Sequence, residues 1–259
     1  MLDLSFLQLE QMVGDFMLPF FRIAAFMMSM PLISTRYVPK TIRLILSVSF
    51  SIALVPTLPA VPLVDGLSLT TYFLVAEQML IGVAIGFSLH AMFQIFAIGG
   101  QMIANQMGLG FASVNDPANG VSIVVVGQYY MMLSMMLFIT MNGHLIMFQT
   151  LAESFRVLPV GVSALENIKF MDIVYSGSWM FQSAVIMALP AVTSLLIVNV
   201  TFGVMSKASP QLNIISIGFP FTMTLGIFIT WMTFSGFLNQ FERFSEYALT
   251  FAGQVLVAQ

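Results

Sequence analysis

The 259-residue chain is 59% hydrophobic and only 7% charged, with eight Lys and Arg against eleven Asp and Glu for a net charge of -3. A soluble domain carries about 25% charged residues, so most of this surface must face lipid or other protein, as a mean hydropathy of +0.97 also indicates. The small net charge without a basic tail excludes nucleic acid, whose phosphates need clustered Lys and Arg, and the lack of cysteine excludes disulfides, thiolate metal sites and a Cys nucleophile.

Six apolar regions follow one another, at about 16–33, 44–64, 67–104, 121–151, 173–205 and 214–241. Lipid forbids unpaired backbone, and strand alternation is absent, so all six are expected to be helical. No basic stretch precedes the first region, where Arg22 follows Asp3, Glu10 and Asp15; a cleavable secretory signal is not expected. Pro19 and Pro31 leave 11 residues between them, with Arg22 among these. The densest positive cluster comes next: Arg36, Lys40 and Arg43. Positive-inside bias places this loop in the cytoplasm and the N-terminus outside.

The second region holds 12 residues between Arg43 and Pro56, about 18 Å of helix, where a span needs about 20 residues. The third is 38 residues, about 57 Å if helical. It contains Glu77, Gly82, Gly86, His90 and the pair Gly99-Gly100. An ionised Glu77 would cost several kcal/mol against lipid. It is either part of a proton relay or a carboxyl satisfied by packing inside an assembly, and no second acid lies in its run. The Gly82–Gly86 spacing allows close helix approach. Elements too short and too long for a bilayer imply broken, bent helices packed inside an oligomer, because backbone groups freed by proline must be buried against protein or line a wet cavity.

The joint after the third region reads NQMGLGFASVNDPANG. Gly108, Gly110 and Gly120 loosen its backbone, and Asn115-Asp116-Pro117 signals a turn. Yet Met107, Leu109, Phe111 and Val114 are apolar. Such a loop either is a plain tight turn or inserts into something, for which a pore that it can vacate is a candidate. The fourth region carries Met131, Met132, Met135 and Met136, four of 22 methionines, on more than one helical face. Flexible methionine suits both a deformable seal and adaptable packing. Lys207 closes the fifth region and falls on the cytoplasmic side if six crossings alternate. Pro210, Gln211 and Asn213 then read as a turn, with proline stopping a helix and the amides bonding its exposed end.

Catalysis finds little support. His90 and His144 lie in different regions, and no HExxH pair, GxSxG elbow or phosphate loop occurs. No enzyme, cofactor or metal site is expected. A small-molecule secondary transporter would need inverted repeats, and none is visible. An intramembrane enzyme would need paired catalytic groups in a chain poor in His, Asp and Glu.

QMGLGFASVNDP at 106–117 resembles the central motif of the FliR family of type III secretion export gates, and NGHL (142–145), LPVG (158–161) and SPQLNIISIGFP (209–220) resemble further motifs in the family's order. The resemblance covers essentially the whole chain and is closer to the flagellar branch than to the injectisome counterparts. It implies an all-α fold of membrane-associated hairpins, like a FliP and a FliQ joined end to end, with about 1–205 FliP-like and about 173–259 the FliQ-like last hairpin. It implies a hetero-oligomer of one such chain with FliP-like and FliQ-like subunits, and FlhB and FlhA as neighbours. The complex would stand in the bacterial inner membrane at the flagellar basal body and project towards the periplasm. Unfolded flagellar subunits would be the substrate. The loop carrying Gly108, Leu109, Gly110, Phe111, Ala112, Ser113, Val114, Asn115, Asp116 and Pro117 would plug the pore.

Overall fold

A computed structural model describes residues 6–34, 38–58, 61, 68–110, 125–161, 170–208 and 214–254. Among these the regular structure is entirely helical. The helices are α1 (Phe6–Ser29), α2 (Lys40–Leu54), α3 (Leu69–Gln106), α4 (Val125–Thr140), α5 (Gly143–Val157), α6 (Phe170–Ala208), α7 (Ile214–Thr233) and α8 (Phe237–Gln254), with 3₁₀ turns at Val55–Thr57 and Phe234–Gly236. The all-α expectation holds.

The breaks fall differently from the proline reading. Pro19, Pro190 and Pro220 lie inside α1, α6 and α7. Pro56 does end a helix: α2 stops at Leu54, and the proline sits in the 3₁₀ turn that follows. The long third region is a single 38-residue helix that passes through Gly99-Gly100. The fourth region, by contrast, divides at Asn142, whose φ of 58° is the left-handed conformation. Asn tolerates that conformation better than most residues. Among the described residues four helical stretches are long and apolar enough to cross a membrane, or five if the broken α4–α5 pair is one span, against the six regions of the sequence.

The chain divides into two units. The first comprises Met1–Ala91, Met141–Ser176 and Tyr247–Gln259; the second comprises Met92–Thr140 and Gly177–Glu246. In the first unit Phe26 and Met27 of α1, Met30 just after it, Ile81 and Ile85 of α3, and Met147, Leu151 and Phe155 of α5 are buried. Glycine makes the α1–α3 approach possible. A Cβ at Gly82 would overlap the Arg22 carbonyl oxygen, and one at Gly86 would overlap Ser29 Oγ. The GxxxG face is therefore occupied by a helix of the same chain, as ordinary packing requires.

The second unit is built on aromatic contacts. The Phe96 ring lies 5.3 Å from Phe237, 5.7 Å from Phe241 and 6.0 Å from Phe244, and Phe93 meets Phe138 edge-on at 5.3 Å. The three α8 phenylalanines recur every three or four residues, so one stripe of α8 is buried while Glu242, Arg243 and Glu246 stand exposed opposite. Gly100 lets α4 come close, since a Cβ there would overlap Gly127 Cα.

Much apolar surface is left open. Trp231 is 71% exposed and Val125 77%, and Tyr72, Phe73, Phe181 and Ile197 are exposed as well. Monomeric soluble proteins rarely show contiguous apolar area of this kind. Lipid or partner chains must cover it.

Candidate functional site

The first candidate is the root of the glycine-jointed segment, in the second unit. Helix α3 ends in a two-bond cap. Leu109 N donates to Ala104 O and Gly108 N to Asn105 O, each at 3.0 Å. Gly108 takes a φ of 84° to make them. This is the Schellman arrangement, in which a left-handed residue lets two amides satisfy the last helical carbonyls. Gly108 thus has a definite conformation where the sequence indicated only a loosened backbone.

Two other helices grip this end. Asn199 of α6 donates from Nδ2 to Gln106 O at 3.0 Å, using an α3 carbonyl that the cap leaves free. The Phe219 ring of α7 lies against Gly108, where a Cβ would meet it at 2.7 Å. Met107 is buried against Gly226 of α7. The C-terminal ends of α3 and α6 and the N-terminal part of α7 therefore share one end of this unit. An open pocket of about 730 Å³ lies among them, lined by Asn105, Gln106, Asn199, Phe202, Phe219 and Thr222. Gly108 also lines it, and Leu109 and Gly110, next along the chain, are half-buried. Phe111, Ala112, Ser113, Val114, Asn115, Asp116 and Pro117 lie outside the described residues, as do Arg36, Pro210, Gln211 and Asn213.

The methionine row sits elsewhere in the same unit. Gly127, Tyr130, Ser134 and Phe138 form the buried face of α4. Met131 and Met135 are half-buried, and Met132 and Met136 are exposed. None of the four is fully buried within this chain. Of the cytoplasmic candidates, Lys40 is exposed at the start of α2, Arg43 donates from Nη2 to Val38 O at 3.0 Å, and Lys207 is exposed at the end of α6.

The second candidate is a buried charge in the first unit. Arg22 of α1 is fully buried. Its Nε donates to Gln78 Oε1 at 2.8 Å, Nη1 to Ser154 O at 2.9 Å and Oγ at 3.2 Å, and Nη2 to Leu158 O at 2.8 Å. The guanidinium also lies 4.2 Å from the Phe155 ring centre, a cation–π contact. Ser154 and Leu158 close α5, so a cation meets the negative end of that helix dipole. Glu77, only 2% exposed, is next to Gln78 on α3. An arginine inside an apolar run was the available signal, since such a charge must find partners. For Asn199 the signal was weaker: one amide in a long apolar helix. Among the described residues no group of three or more His, Cys, Asp or Glu could hold a metal ion.

Comparison with known proteins places these features in a family context. The family model described as bacterial export proteins, family 1, matches residues 13–248. A flagellar biosynthetic protein FliR of Escherichia coli K12 is 37% identical over 211 residues, covering 81% of this chain and 80% of that protein. The FliR of Pectobacterium carotovorum is 33% identical over 237 residues, covering 91% and 88%. The surface presentation of antigens protein SpaR of Shigella flexneri is 27% identical over 210 residues, covering 81% of each.

Proposed function

The chain belongs to the bacterial export proteins, family 1, and we propose that it is a FliR-like subunit of the flagellar type III protein-export gate. At the coarser level it is an inner-membrane component of flagellar protein export, a transport part rather than an enzyme; the family and the membrane-length helices support this. The flagellar branch is favoured because the relatives at 37% and 33% identity carry the flagellar name, while the antigen-presentation relative stands at 27%.

In this reading the chain joins FliP-like and FliQ-like subunits as a single copy, with FlhB and FlhA beside them. Residues of about 1–205 act as the FliP-like part and about 173–259 as the FliQ-like hairpin. The assembly stands in the inner membrane at the basal body and rises towards the periplasm. Closure is steric. The segment 108–117 plugs the pore, and an entering unfolded flagellar chain displaces it. Met131, Met132, Met135 and Met136 face a partner or the passage, where flexible side chains conform to a moving polypeptide. The basic residues Arg36, Lys40, Arg43 and Lys207 mark the cytoplasmic side, with Pro210, Gln211 and Asn213 forming a turn there.

The observation that carries the plug assignment is the anchored root. The Schellman cap at Gly108, the Asn199 bond and the Phe219 contact fix where an apolar segment leaves α3. A rigid root with an apolar extension is what a displaceable plug needs. Assembly is tested by expressing the chain alone and with FliP-like and FliQ-like partners, followed by gel filtration in detergent. Partners are expected to rescue an unstable chain into one complex. A monodisperse, thermally stable monomer would rule this reading out.

A further inference from the structure

We propose that the open face of α3 in the second unit is a polar track for the exported polypeptide, on which Gln94, Gln101 and Asn105 bond the backbone of the passing chain and lead it to the pocket at the helix end. The proposal rests on the export-gate reading and names a surface of this chain that the substrate touches.

Helix α3 changes character along its length. In the first unit every exposed residue from Phe73 to Phe87 is apolar, a surface suited to lipid. In the second unit the helix leaves open Gln94, Ile98, Gln101, Met102, Asn105 and Gln106, and every other residue from Met92 to Gln106 is buried. Four of those six are amides. Gln94, Gln101 and Asn105 are spaced by seven and four positions, which puts them on one side of a helix. Their side chains adjoin there: Gln101 Nε2 donates to Asn105 Oδ1 at 3.3 Å. An amide has two donors and two acceptor positions, more than this one bond uses.

Three surroundings compete for this face. Hydrocarbon has no hydrogen bond to offer an amide, so lipid is excluded. A partner helix is disfavoured by the placement of the small residues, over which membrane helices approach one another. In this stretch they all point inward. Ala97 and Ala104 are buried, a Cβ at Gly99 would meet Met187, and one at Gly100 would meet Gly127. The close-packing sides of α3 are therefore taken by helices of the same chain. Water with an unfolded polypeptide in it is the third surrounding, and it fits. Such a chain presents an unpaired N–H and C=O at each residue, and a side-chain amide can answer either. No residue of the track or of the pocket lining is charged, so the grip does not depend on the sequence that passes. Gln94 and Asn105 are 11 positions apart, about 17 Å of helix, which spans about five residues of extended chain. Asn105 belongs to both surfaces, because it also lines the pocket with Phe202 and Phe219, whose rings suit apolar side chains.

The test uses the full chain, which has no cysteine of its own, assembled with its membrane partners. Single variants Gln94→Cys, Gln101→Cys and Asn105→Cys mark the track. Leu109→Cys marks the root of the segment, and Ile197→Cys marks the exposed apolar side of α6. The probe is an unfolded flagellar subunit carrying one cysteine and a folded C-terminal domain that jams it during export. Oxidation is expected to join it to all three track positions and to position 109 but not to 197. The favoured substrate cysteine should shift by about five residues between positions 94 and 105. Crosslinks at 109 without any on the track, or a crosslink at 197 equal to those on the track, would overturn the proposal and leave the gate reading standing. Disulfides from 94 or 101 to a partner subunit carrying a scanned cysteine, formed without substrate, would also overturn it and assign the face to that partner. No crosslink at any position, 109 included, would remove the gate reading itself. A second measurement replaces Gln94, Gln101 and Asn105 together by Leu, which keeps bulk and removes the hydrogen bonds. Export is expected to fall at least about tenfold at normal complex yield, the ratio that corresponds to 1.4 kcal/mol; unchanged export at that yield would overturn the track.

Discussion

Alanine at Gly82 is the sharpest probe of the packing that positions Arg22. A Cβ there would overlap the Arg22 carbonyl oxygen and come within 3.0 Å of Phe26 N and 3.1 Å of Ala25 Cβ. Two of those atoms belong to the α1 backbone, which cannot rotate away. Overpacking of this kind costs about 1–3 kcal/mol, and a backbone neighbour puts the cost at the upper end. Replacing a helical glycine by alanine returns about 1 kcal/mol. The net loss is therefore about 2 kcal/mol, or roughly thirtyfold in the unfolding equilibrium. Gly86→Ala differs in kind, because its closest neighbour is the Ser29 side chain. That hydroxyl bonds Ala25 O and Phe26 O at 3.0 Å and can rotate, but Ser29 Cβ at 2.8 Å and Phe26 O at 3.2 Å cannot, so the net loss should be about 1 kcal/mol, smaller than at Gly82. Gly177 and Gly203 in α6 have nothing within 4 Å and serve as controls; alanine there should be neutral or stabilising by up to about 1 kcal/mol. The assay is SDS-titrated unfolding of the purified complex in detergent micelles. The expected order of stability is the α6 controls, then Gly86→Ala, then Gly82→Ala. Gly82→Ala at wild-type stability, or above Gly86→Ala, would refute the close α1–α3 crossing.

Gly108→Ala is expected to weaken the loop root by at least about 1–2 kcal/mol, from the left-handed conformation alone, before its overlap with Phe219 is counted. Gly110→Ala should be milder in the same unfolding assay, because its closest neighbour is the movable side chain of Asn105. Orientation is tested with Thr41→Cys, an exposed position beside Lys40 in a chain with no other cysteine. An impermeant maleimide should label it in inverted vesicles and leave it unmodified from the periplasmic face; the reverse pattern would contradict the cytoplasmic assignment of the basic loop.

Much of the architecture is legible in the sequence because lipid narrows the options. Apolar runs with few charges must be helices, and α3 and α6 follow their runs closely, whereas α1 begins ten residues before its run and α8 lies mostly beyond the last one. Prolines misled the placement of breaks. Pro19, Pro190 and Pro220 cost one hydrogen bond each, while long apolar flanks on both sides hold the helix. The break at Asn142 was encoded in an Asn-Gly pair, a turn signal inside an apolar run. Gly82 and Gly86 could be read from their spacing alone. The Arg22 node could not, because its acceptors are 56, 132 and 136 positions away, and a pattern along the chain carries no record of such contacts. Gly108 could be recognised as a glycine with a purpose, but the contacts of Asn199 and Phe219 with that helix end come from distant helices.

Whether the segment launched at Gly108 closes the channel is tested most directly by membrane conductance. Burial of Phe111 and Val114 in a closed pore would be worth roughly 1.5–3 kcal/mol each, an amount that an entering chain can offset. Ion conductance of the inner membrane should be recorded in cells making the complete complex with residues 109–114 deleted, against cells lacking the FliP-like partner. The account predicts leakage in the deletion strain at normal complex yield, no leakage in the control, and export at least partly retained. A tight membrane at normal complex yield would contradict it and assign closure to another element.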